Sequence, residues 1–319
     1  MTRRRLAVLA LVLGALALLG GSAVTPDLAV SMLEAKYGGP PSRFVTLPSG
    51  ARVHVRDQGN PRGPVLLLLH GSNSSLHTWK PWVRLLGDAF RIVSMDLPGH
   101  GLTGPVPGDD YSLAGMVRAV EETRTTLGLT RFFLAGNSMG GNVSFRYTLA
   151  HPDAVERLVL VDASGVNHLL PQALQPVPPI GFRLIRSPVT GPIAARVTPR
   201  RFIEKTTRAA FCDQSKVTPE MIDRYHELLL HPGNRRATRL RAEASPGLEA
   251  ADHLGEIRVP TLVLSGMEDT LVPVQAARLF HERIPGSVII EYPRVGHIPM
   301  EEIPERSAAD VRAFLIGGG

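Results

Sequence analysis

The chain has 319 residues, a formal net charge of +6 and one cysteine; 44% of its residues are hydrophobic and 20% are charged. These are ordinary values for a globular protein, so the composition allows a large core and excludes general disorder. The lone cysteine, Cys212, excludes an intramolecular disulfide and a cysteine metal cluster. No His/Asp/Glu spacing is typical of a zinc site and no glycine-rich phosphate loop is present, so we expect neither a metal nor a cofactor.

The first 24 residues predict export across a membrane. Arginines at positions 3–5 precede an uncharged apolar run from Leu6 to Val24. A cleaved signal peptide would combine this basic start with small residues at the cut, for which Gly21-Ser22-Ala23 is a weak candidate. An uncleaved anchor needs about 20 apolar residues, which this run nearly reaches, and we favour it. Residues 1–24 are therefore interpreted as a signal anchor or a signal peptide.

The same arginines predict the orientation of the chain. Because basic residues stay on the cytoplasmic side, the rest of the chain is expected in the periplasm, held at an inner membrane by the apolar segment. It would be secreted if that segment were cleaved. Residues 25–42, which include Gly38-Gly39-Pro40-Pro41, are interpreted as a short tether.

The body of the chain alternates between apolar runs and helical patterns. This alternation indicates an α/β protein with crossover connections and a mostly parallel, doubly wound sheet of about eight strands. Two earlier segments joined by Pro48-Ser49-Gly50 predict an antiparallel hairpin at one edge. The hairpin strands are Arg43–Leu47 and Arg52–Arg56, and the later runs are Val65–Leu69, Arg91–Met95, Phe132–Ala135, Arg157–Val161, Thr261–Leu264 and Val288–Tyr292.

One apolar run leads directly into Gly136-Asn137-Ser138-Met139-Gly140, a Gly-x-Ser-x-Gly sequence followed by a helical pattern. Between a strand and a helix, this sequence holds the serine on a strained turn with its hydroxyl exposed. The flanking glycines are needed because a Cβ there would collide with the neighbouring strand or helix. Ser138 is therefore the candidate nucleophile, and the backbone N–H of Met139 is a candidate oxyanion donor.

The remaining catalytic groups should follow in the order serine, acid, histidine. After the run at 261–264 comes a loop with two carboxylates, Glu268 and Asp269. His297 follows the last predicted strand, on a loop from which it can lean over the sheet toward Ser138. A carboxylate partner would fix the tautomer of this histidine and stabilise the imidazolium. Asp162, at the end of another predicted strand, is a further candidate acid.

With these motifs the chain resembles the α/β-hydrolase fold family over about residues 43–317. The strand at 65–69 and the His70-Gly71 turn look like the family's second oxyanion element, which implies the N–H of Ser72 or Asn73 as the second donor. The segment Asp96–Thr103 is similar to the family's structural Asp-x-Pro-Gly-x-Gly loop. The resemblance therefore implies that His100 has no catalytic role.

The resemblance also bears on the choice of acid. The family's usual acid loop, Gly-x-x-Asp-x-x-x-Pro, matches the segment Gly266–Pro273 with its aspartate at Asp269. This implies Asp269 rather than Glu268 as the acid of the triad. Asp162 is then expected to pack the end of its strand and the entry to the cap.

A cap inserted over the active site is implied at residues 166–245, between core parts at 43–165 and 246–317. Its prolines predict a loop-rich first part before helices near Pro199–Arg208 and Pro219–Leu230. Between Arg183 and Arg241 the chain has 13 Lys/Arg against five Asp/Glu. A solvated helical face is the ordinary interpretation; contact with anionic lipid headgroups or attraction of an acidic substrate are the alternatives. Nucleic acid is not expected, because aromatic residues are only 5% and no binding motif is present.

With serine in the Gly136–Gly140 turn (the nucleophile elbow), the resemblance implies hydrolysis of a small carboxylic ester through an acyl-enzyme. The elbow is also similar to that of the meta-cleavage-product hydrolases, which break a C–C bond in acidic dienoates. Ile298 stands where those enzymes typically have tryptophan, and the segment Ser72–Ser75 has less glycine and proline than their turn. Arg235 or Arg236 could supply their cap arginine. A non-catalytic binding protein on the same fold is the third alternative, which the intact serine and histidine disfavour.

Overall fold

A computed structural model describes residues 24–176, 184–185, 187, 190–244 and 247–317. Eight strands form one sheet: β1 (Ser42–Thr46), β2 (Arg52–Gly59), β3 (Val65–Leu69), β4 (Arg91–Met95), β5 (Phe132–Asn137), β6 (Val155–Val161), β7 (Thr261–Gly266) and β8 (Val288–Tyr292). Their order across the sheet is β1-β2-β4-β3-β5-β6-β7-β8. β2 runs antiparallel to both β1 and β4, and the remaining neighbours are parallel. The predicted α/β fold class, with its hairpin at one edge, is confirmed.

Helices cover the sheet and fill the connections between strands. They are α1 (Val30–Tyr37), α2 (Lys80–Leu86), α3 (Leu113–Thr126), α4 (Met139–Ala150), α5 (Gly191–Ala194), α6 (Arg200–Ala209), α7 (Pro219–Leu229), α8 (Asn234–Glu243), α9 (Val274–Arg283), α10 (Pro299–Glu302) and α11 (Pro304–Ile316). Short 3₁₀ turns lie at 76–79, 107–109, 152–154, 167–169, 172–174, 214–216 and 248–256.

The two faces of the sheet are both buried, as a parallel sheet requires. Side chains alternate along β3: Leu66 and Leu68 join one apolar cluster, and Leu67 and Leu69 join the other. The first cluster includes apolar side chains of α2 and α11, and the second includes those of α3, α4 and α9. Burial on both sides explains why β3 is an unbroken apolar run in the sequence.

The inserted segment between β6 and β7 contains α5 to α8. α6 and α7 lie where the sequence predicts cap helices. α8 was not predicted, because its sequence contains four arginines and few apolar residues. Its buried face, which includes Ala237 and Thr238, is small and partly polar, so the hydrophobic periodicity that usually indicates a helix is weak.

The predicted tether at residues 25–42 is wrong for most of its length, because these residues fold and pack against the cap. α1 lies in this segment, and Leu33 is fully buried beside Leu228 of α7. The N–H of Leu28 donates to the carbonyl of Leu230 at 2.9 Å. Asp27 pairs with Arg235 of α8 at 2.6 Å. The turn residues Gly38 to Pro41 suggested a linker. The cap partners of this segment, such as Arg235 for Asp27, lie about two hundred residues away in sequence, and a local pattern gives no sign of them.

The apolar run Leu6–Val24 lies outside the described residues except for Val24 itself. Among the helices that the structure does describe, none combines the length and the apolar character needed to cross a bilayer.

Candidate active site

Ser138 lies on the turn between β5 and α4. Its backbone has φ 53° and ψ −116°, a conformation that costs free energy for a residue with a side chain and that often marks a functional site. A Cβ added at Gly136 would lie 2.3 Å from the carbonyl oxygen of Gly140, and one at Gly140 would lie 2.2 Å from that of Leu69. The two glycines are therefore required by close backbone packing. Ser138 is partly exposed although its neighbours in β5 and α4 are buried.

His297 and Asp269 form a hydrogen-bonded pair next to the sheet's carboxyl edge. The Nδ1 of His297 lies 2.6 Å from Oδ2 of Asp269. The other oxygen of Asp269 accepts the N–H groups of Leu271 and Val272, at 2.7 and 3.0 Å. A carboxylate held in this way keeps the proton on Nδ1, which leaves the Nε2 lone pair of His297 free to act as a base. Glu268 is exposed and takes no part in the pair.

Asn137 connects the histidine loop to the serine turn. Its side-chain amide donates to the carbonyl of His297 at 3.0 Å and to that of Val161 at 3.2 Å. The backbone N–H of Ser138 also donates to Val161, at 2.9 Å. Because Asn137 directly precedes Ser138, these bonds hold the His297 backbone against the turn that carries the hydroxyl.

Glu302 is a buried carboxylate that the sequence analysis missed. Its Oε2 accepts the N–H of Gly296 at 2.7 Å, and its Oε1 accepts the N–H of Asp213 in the cap at the same distance. The N–H of His297 donates to the carbonyl of Ala210, at the end of α6. Glu302, which belongs to α10 of the core, thus links the loop that carries His297 to both the core and the cap. The only sequence signal is a pair of glutamates four and five residues beyond the histidine, which is also what an ordinary exposed helix start looks like.

The turn after β3 lies against the nucleophile, as the resemblance implied. A Cβ on Gly71 would approach the Cβ of Ser138 to 3.1 Å. Ser72 Oγ donates to Met139 Sδ at 3.4 Å, and Asn73 adopts φ 55°. Within the described part of the chain, the N–H groups of Ser72 and Asn73 have no acceptor, and the N–H of Met139, as the first residue of α4, has no acceptor within the helix. These are free donors of the kind an oxyanion requires.

Asp162 lies close to the His297–Asp269 pair. One ligand atom from each of these three residues falls within 4.8 Å of the others. Its Oδ1 accepts the N–H of Gly266 at 2.9 Å and the hydroxyl of Ser265 at 3.1 Å. Burial, together with the nearby Asp269 charge, raises the pKa of the Asp162 carboxyl well above its ordinary value. A protonated Asp162 fits this position, because ionising two adjacent buried carboxyl groups at once costs free energy.

The same three residues are also a conceivable metal-ligand set. The facing atoms of His297 and Asp269 are already joined by their 2.6 Å hydrogen bond, and the second oxygen of Asp269 accepts two N–H groups. The pKa of the Asp162 carboxyl is raised by burial and by the Asp269 charge, which favours its protonated form, whereas metal ligation requires a deprotonated carboxylate. The donor set therefore fits a hydrogen-bonded catalytic group better than an ion.

Replacing Asp162 by asparagine should stabilise the protein increasingly as the pH rises. Below the ordinary aspartate pKa of about 3.9 the carboxyl is protonated in both the folded and unfolded states. Above that value the unfolded chain releases the proton and the native chain keeps it, so wild-type stability falls until the raised native pKa is passed. The advantage of Asp162→Asn should grow by on the order of 1 kcal/mol per pH unit in that interval.

Denaturant unfolding at several pH values between about 4 and 8 measures this effect. Asp153→Asn, at an exposed aspartate just before β6, is the matched control because it makes the same substitution where the carboxyl is in contact with solvent in both states. A stability difference for Asp162→Asn that stays constant across this range would show that Asp162 is ionised in the native protein.

The Asp-x-Pro-Gly-x-Gly loop has the structural role that the resemblance implied. Asp96 Oδ1 accepts the N–H of Leu76 at 2.7 Å, and Oδ2 accepts that of Leu102 at 2.8 Å and contacts Nδ1 of His54 at 2.7 Å. Asp96 is fully buried and all its described contacts lie within the core. Asp96, directly after β4, therefore joins this loop to the segment that contains Leu76.

The two arginines considered as a substrate-binding cap arginine are engaged elsewhere. Arg235 pairs with Asp27 in the N-terminal segment, and Arg236 pairs with Asp109 on the loop after β4. Neither contacts a residue of the candidate site. The structure therefore gives no support to the prediction that one of them supplies the arginine of the meta-cleavage-product hydrolases.

Comparison with known proteins agrees with the fold. Residues 64–304 match the alpha/beta hydrolase fold family, and the chain belongs to this family. It is an enzyme of the hydrolase class. It is 26% identical, over 80% of its length and 90% of the relative's, to 2-hydroxy-6-oxo-6-phenylhexa-2,4-dienoate hydrolase of Burkholderia cepacia.

Two solved structures are similar over most of the chain. A thermophilic esterase from Thermogutta terrifontis aligns with a TM-score of 0.70 and 26% identity, covering 86% of this chain and 97% of the esterase. A membrane phospholipase A described as a bacterial virulence factor aligns with a TM-score of 0.71 and 25% identity, covering 99% of each chain.

Proposed function

We propose that the protein hydrolyses carboxylic esters through an acyl-enzyme on Ser138. The observation that carries this proposal is the 2.6 Å contact between His297 and Asp269, next to a strained serine turn. Asn137 Nδ2 binds the carbonyl of the same histidine, so the base and the nucleophile belong to one rigid arrangement. The similarity to a solved esterase supports the ester class.

The chemistry follows from the positions of these groups. His297 Nε2 takes the proton of the Ser138 hydroxyl, whose oxygen attacks the ester carbonyl. The N–H of Met139, with that of Ser72 or Asn73, stabilises the oxyanion. His297 then gives its proton to the leaving alcohol, and a water activated by the same imidazole cleaves the acyl-enzyme. Asp269 holds the imidazole and stabilises its positive charge in both steps.

The second candidate function is C–C bond hydrolysis of the meta-cleavage-product type. The observation that favours it is the 26% identity to a dienoate hydrolase over most of both chains. Against it, Ile298 replaces the tryptophan that such enzymes typically have, and it is buried in an apolar cluster. Both Arg235 and Arg236 pair with aspartates outside the site.

A panel of substrates tests the proposed function. The purified protein is assayed with p-nitrophenyl esters of short and medium chain, with a short-chain phospholipid and with a 2-hydroxy-6-oxo-dienoate. We expect ester hydrolysis at a kcat/KM of about 10⁴ M⁻¹s⁻¹ or more, and a lower value for the dienoate. A higher kcat/KM for the dienoate would favour the second candidate. Turnover of none of them would favour a binding protein on the same fold.

We further propose that residues Leu6–Val24 anchor the protein in an inner membrane, with the catalytic domain in the periplasm. The apolar run and the preceding arginines support the anchor and its orientation. A membrane phospholipase A is similar in fold over 99% of this chain. The segment that follows it packs on the cap, so an anchor there would hold the cap side close to the bilayer.

Intact-mass measurement of the protein extracted from native membranes tests the anchor. We expect the full-length mass, in the membrane fraction, with residues after Val24 sensitive to protease added to the periplasm. A mature chain that begins near Val24 and is recovered in the soluble fraction would contradict the anchor and leave export standing. Full-length protein in the cytosol would contradict both.

A further inference from the structure

Arg241, in the last turn of α8, is a cation at the border between cap and core. Its Nη1 lies 2.5 Å from Nε2 of His100 and 3.2 Å from Sδ of Met139. Met139 directly follows the candidate nucleophile, and its sulfur also accepts from Ser72 Oγ. The guanidinium therefore lies beside the residues that would hold the oxyanion.

The neighbour of Arg241 is uncharged. His100 Nδ1 lies 2.9 Å from the carbonyl of Pro98, so Nδ1 carries the proton and Nε2 accepts from the arginine. Burial, with the positive charge of Arg241, lowers the pKa of His100 well below its ordinary value. His100 thus offers a hydrogen bond and no negative charge.

The positive charge of Arg241 has no partner in the described part of the chain. No carboxylate pairs with it there, and its Nη2 is buried without a hydrogen-bond acceptor. Burial lowers the pKa of Arg241 from its ordinary 12.5 to about 10, so the group is still a cation at neutral pH. The Arg241 side chain is partly exposed but its Nη2 is buried, and a charge that is withdrawn from water without compensation costs the folded state free energy. Such a cost is typical of positions kept for function at the expense of stability.

The other arginines of α8 provide the contrast. Arg235, Arg236 and Arg239 pair with Asp27, Asp109 and Glu243 respectively. In the neighbouring helix α7, the partly buried Arg224 pairs with the buried Glu301. These four arginines each pair with a carboxylate, whereas Arg241, which contacts the residue after Ser138, has no such pair in the described part of the chain.

We propose that Arg241 binds an anionic group of the substrate, a carboxylate or a phosphate, while the ester carbonyl is held at Ser138. This inference rests on the proposed function and specifies its substrate class as esters that carry a negative charge. A guanidinium binds such planar or tetrahedral oxyanions with several donors at once. The bound anion would satisfy Nη2 and neutralise the charge that the folded protein leaves uncompensated.

Two matched substrate pairs test the proposal and distinguish the sources of the anion. The first pair is p-nitrophenyl hydrogen adipate and its neutral methyl ester, which places a carboxylate on the acyl chain. The second is dihexanoyl phosphatidylglycerol and dihexanoylglycerol, which places a phosphate on the leaving group. The pair that shows an Arg241-dependent preference identifies the class and position of the anion.

We expect wild-type kcat/KM to favour the anionic member of one pair, and Arg241→Gln to reduce that preference by about 10- to 100-fold. Arg241→Lys should keep part of it, because the charge remains and the forked geometry is lost. Arg236→Gln is the matched control: it removes the same charge from the exposed side of the same helix, and the preference should stay at the wild-type value.

Thermal unfolding gives a readout independent of turnover. Without ligand, Arg241→Gln should melt at or above the wild-type temperature, since it removes an unpaired buried charge. Adipate should raise the melting temperature of the wild type and not that of Arg241→Gln.

An equal loss of activity on both members of a pair, or no anion preference in the wild type, would overturn the proposal. If the neutral esters are hydrolysed normally in that case, the ester hydrolase function still stands. Absence of turnover on every member of both pairs would instead refute the proposed function itself.

Discussion

Ser138→Ala should lower kcat for ester hydrolysis by about 10⁴-fold or more, because the covalent route depends on the hydroxyl. The remaining rate would come from the oxyanion donors and from substrate positioning. The strained backbone at φ 53° is set by close packing around Gly136 and Gly140, so alanine should keep the fold. Initial rates with an activated ester of medium chain measure the loss.

Ser49→Ala is the control for this variant, since Ser49 is an exposed serine on the turn between β1 and β2. It should hydrolyse the same ester at the wild-type rate. Turnover by Ser138→Ala within about tenfold of the wild type would show that another group is the nucleophile, and the acyl-enzyme route would then be wrong.

Asp269→Asn should lower kcat by up to about 10⁴-fold. The asparagine amide can present an N–H where the carboxylate oxygen now accepts from His297 Nδ1, which favours the wrong imidazole tautomer and removes the charge that stabilises the imidazolium. Oδ1 of the new side chain can still accept the N–H groups of Leu271 and Val272, so the loop should keep its conformation.

Glu268→Gln is the matched control for the acid, because it makes the same chemical change one residue earlier on an exposed side chain. Its kcat should stay close to the wild-type value. The reverse ranking of the two variants would place the acid at Glu268. Melting temperatures of both variants separate an effect on chemistry from an effect on folding.

The sequence predicted the sheet well because both of its faces are buried. The apolar runs for β3 and β4 have the same bounds in the structure as in the prediction. Such runs arise because every residue of a central parallel strand contacts a helix layer on one side or the other. The turn that carries Ser138 was equally predictable from the sequence. Its glycines are required by contacts within a few residues and with the neighbouring strand β3.

The contacts of the N-terminal segment and of α8 could not be predicted from the same patterns. Leu33 is buried by Leu102 and Leu228, which are distant in sequence. The partner of Arg235 is Asp27, more than two hundred residues away, and an arginine with a distant partner looks like any solvated arginine. The excess of positive charge was visible in the sequence, whereas the pairing that leaves Arg241 alone depends on the fold.

Within the candidate site, the sequence predicted the pairing of Asp269 with His297, which the structure brings together, but not the surroundings of the pair. The positions of Ser138, Asp269 and His297 follow from strand ends that meet at one edge of a parallel sheet. The raised pKa of Asp162 and the hydrogen bonds that Glu302 accepts depend on how the loops after β6, β7 and β8 pack together. Neither residue type nor spacing indicates a buried carboxyl in advance.

Covalent labelling with a fluorophosphonate, read by intact mass and peptide mapping, tests the central claim most directly. We expect one adduct per chain, located on Ser138, with loss of ester hydrolysis in proportion to labelling. Ser138→Ala should stay unlabelled, and Asp269→Asn should react more slowly than the wild type. An adduct on another residue, or ester hydrolysis that persists in protein fully labelled at Ser138, would contradict the assignment of Ser138 as the nucleophile.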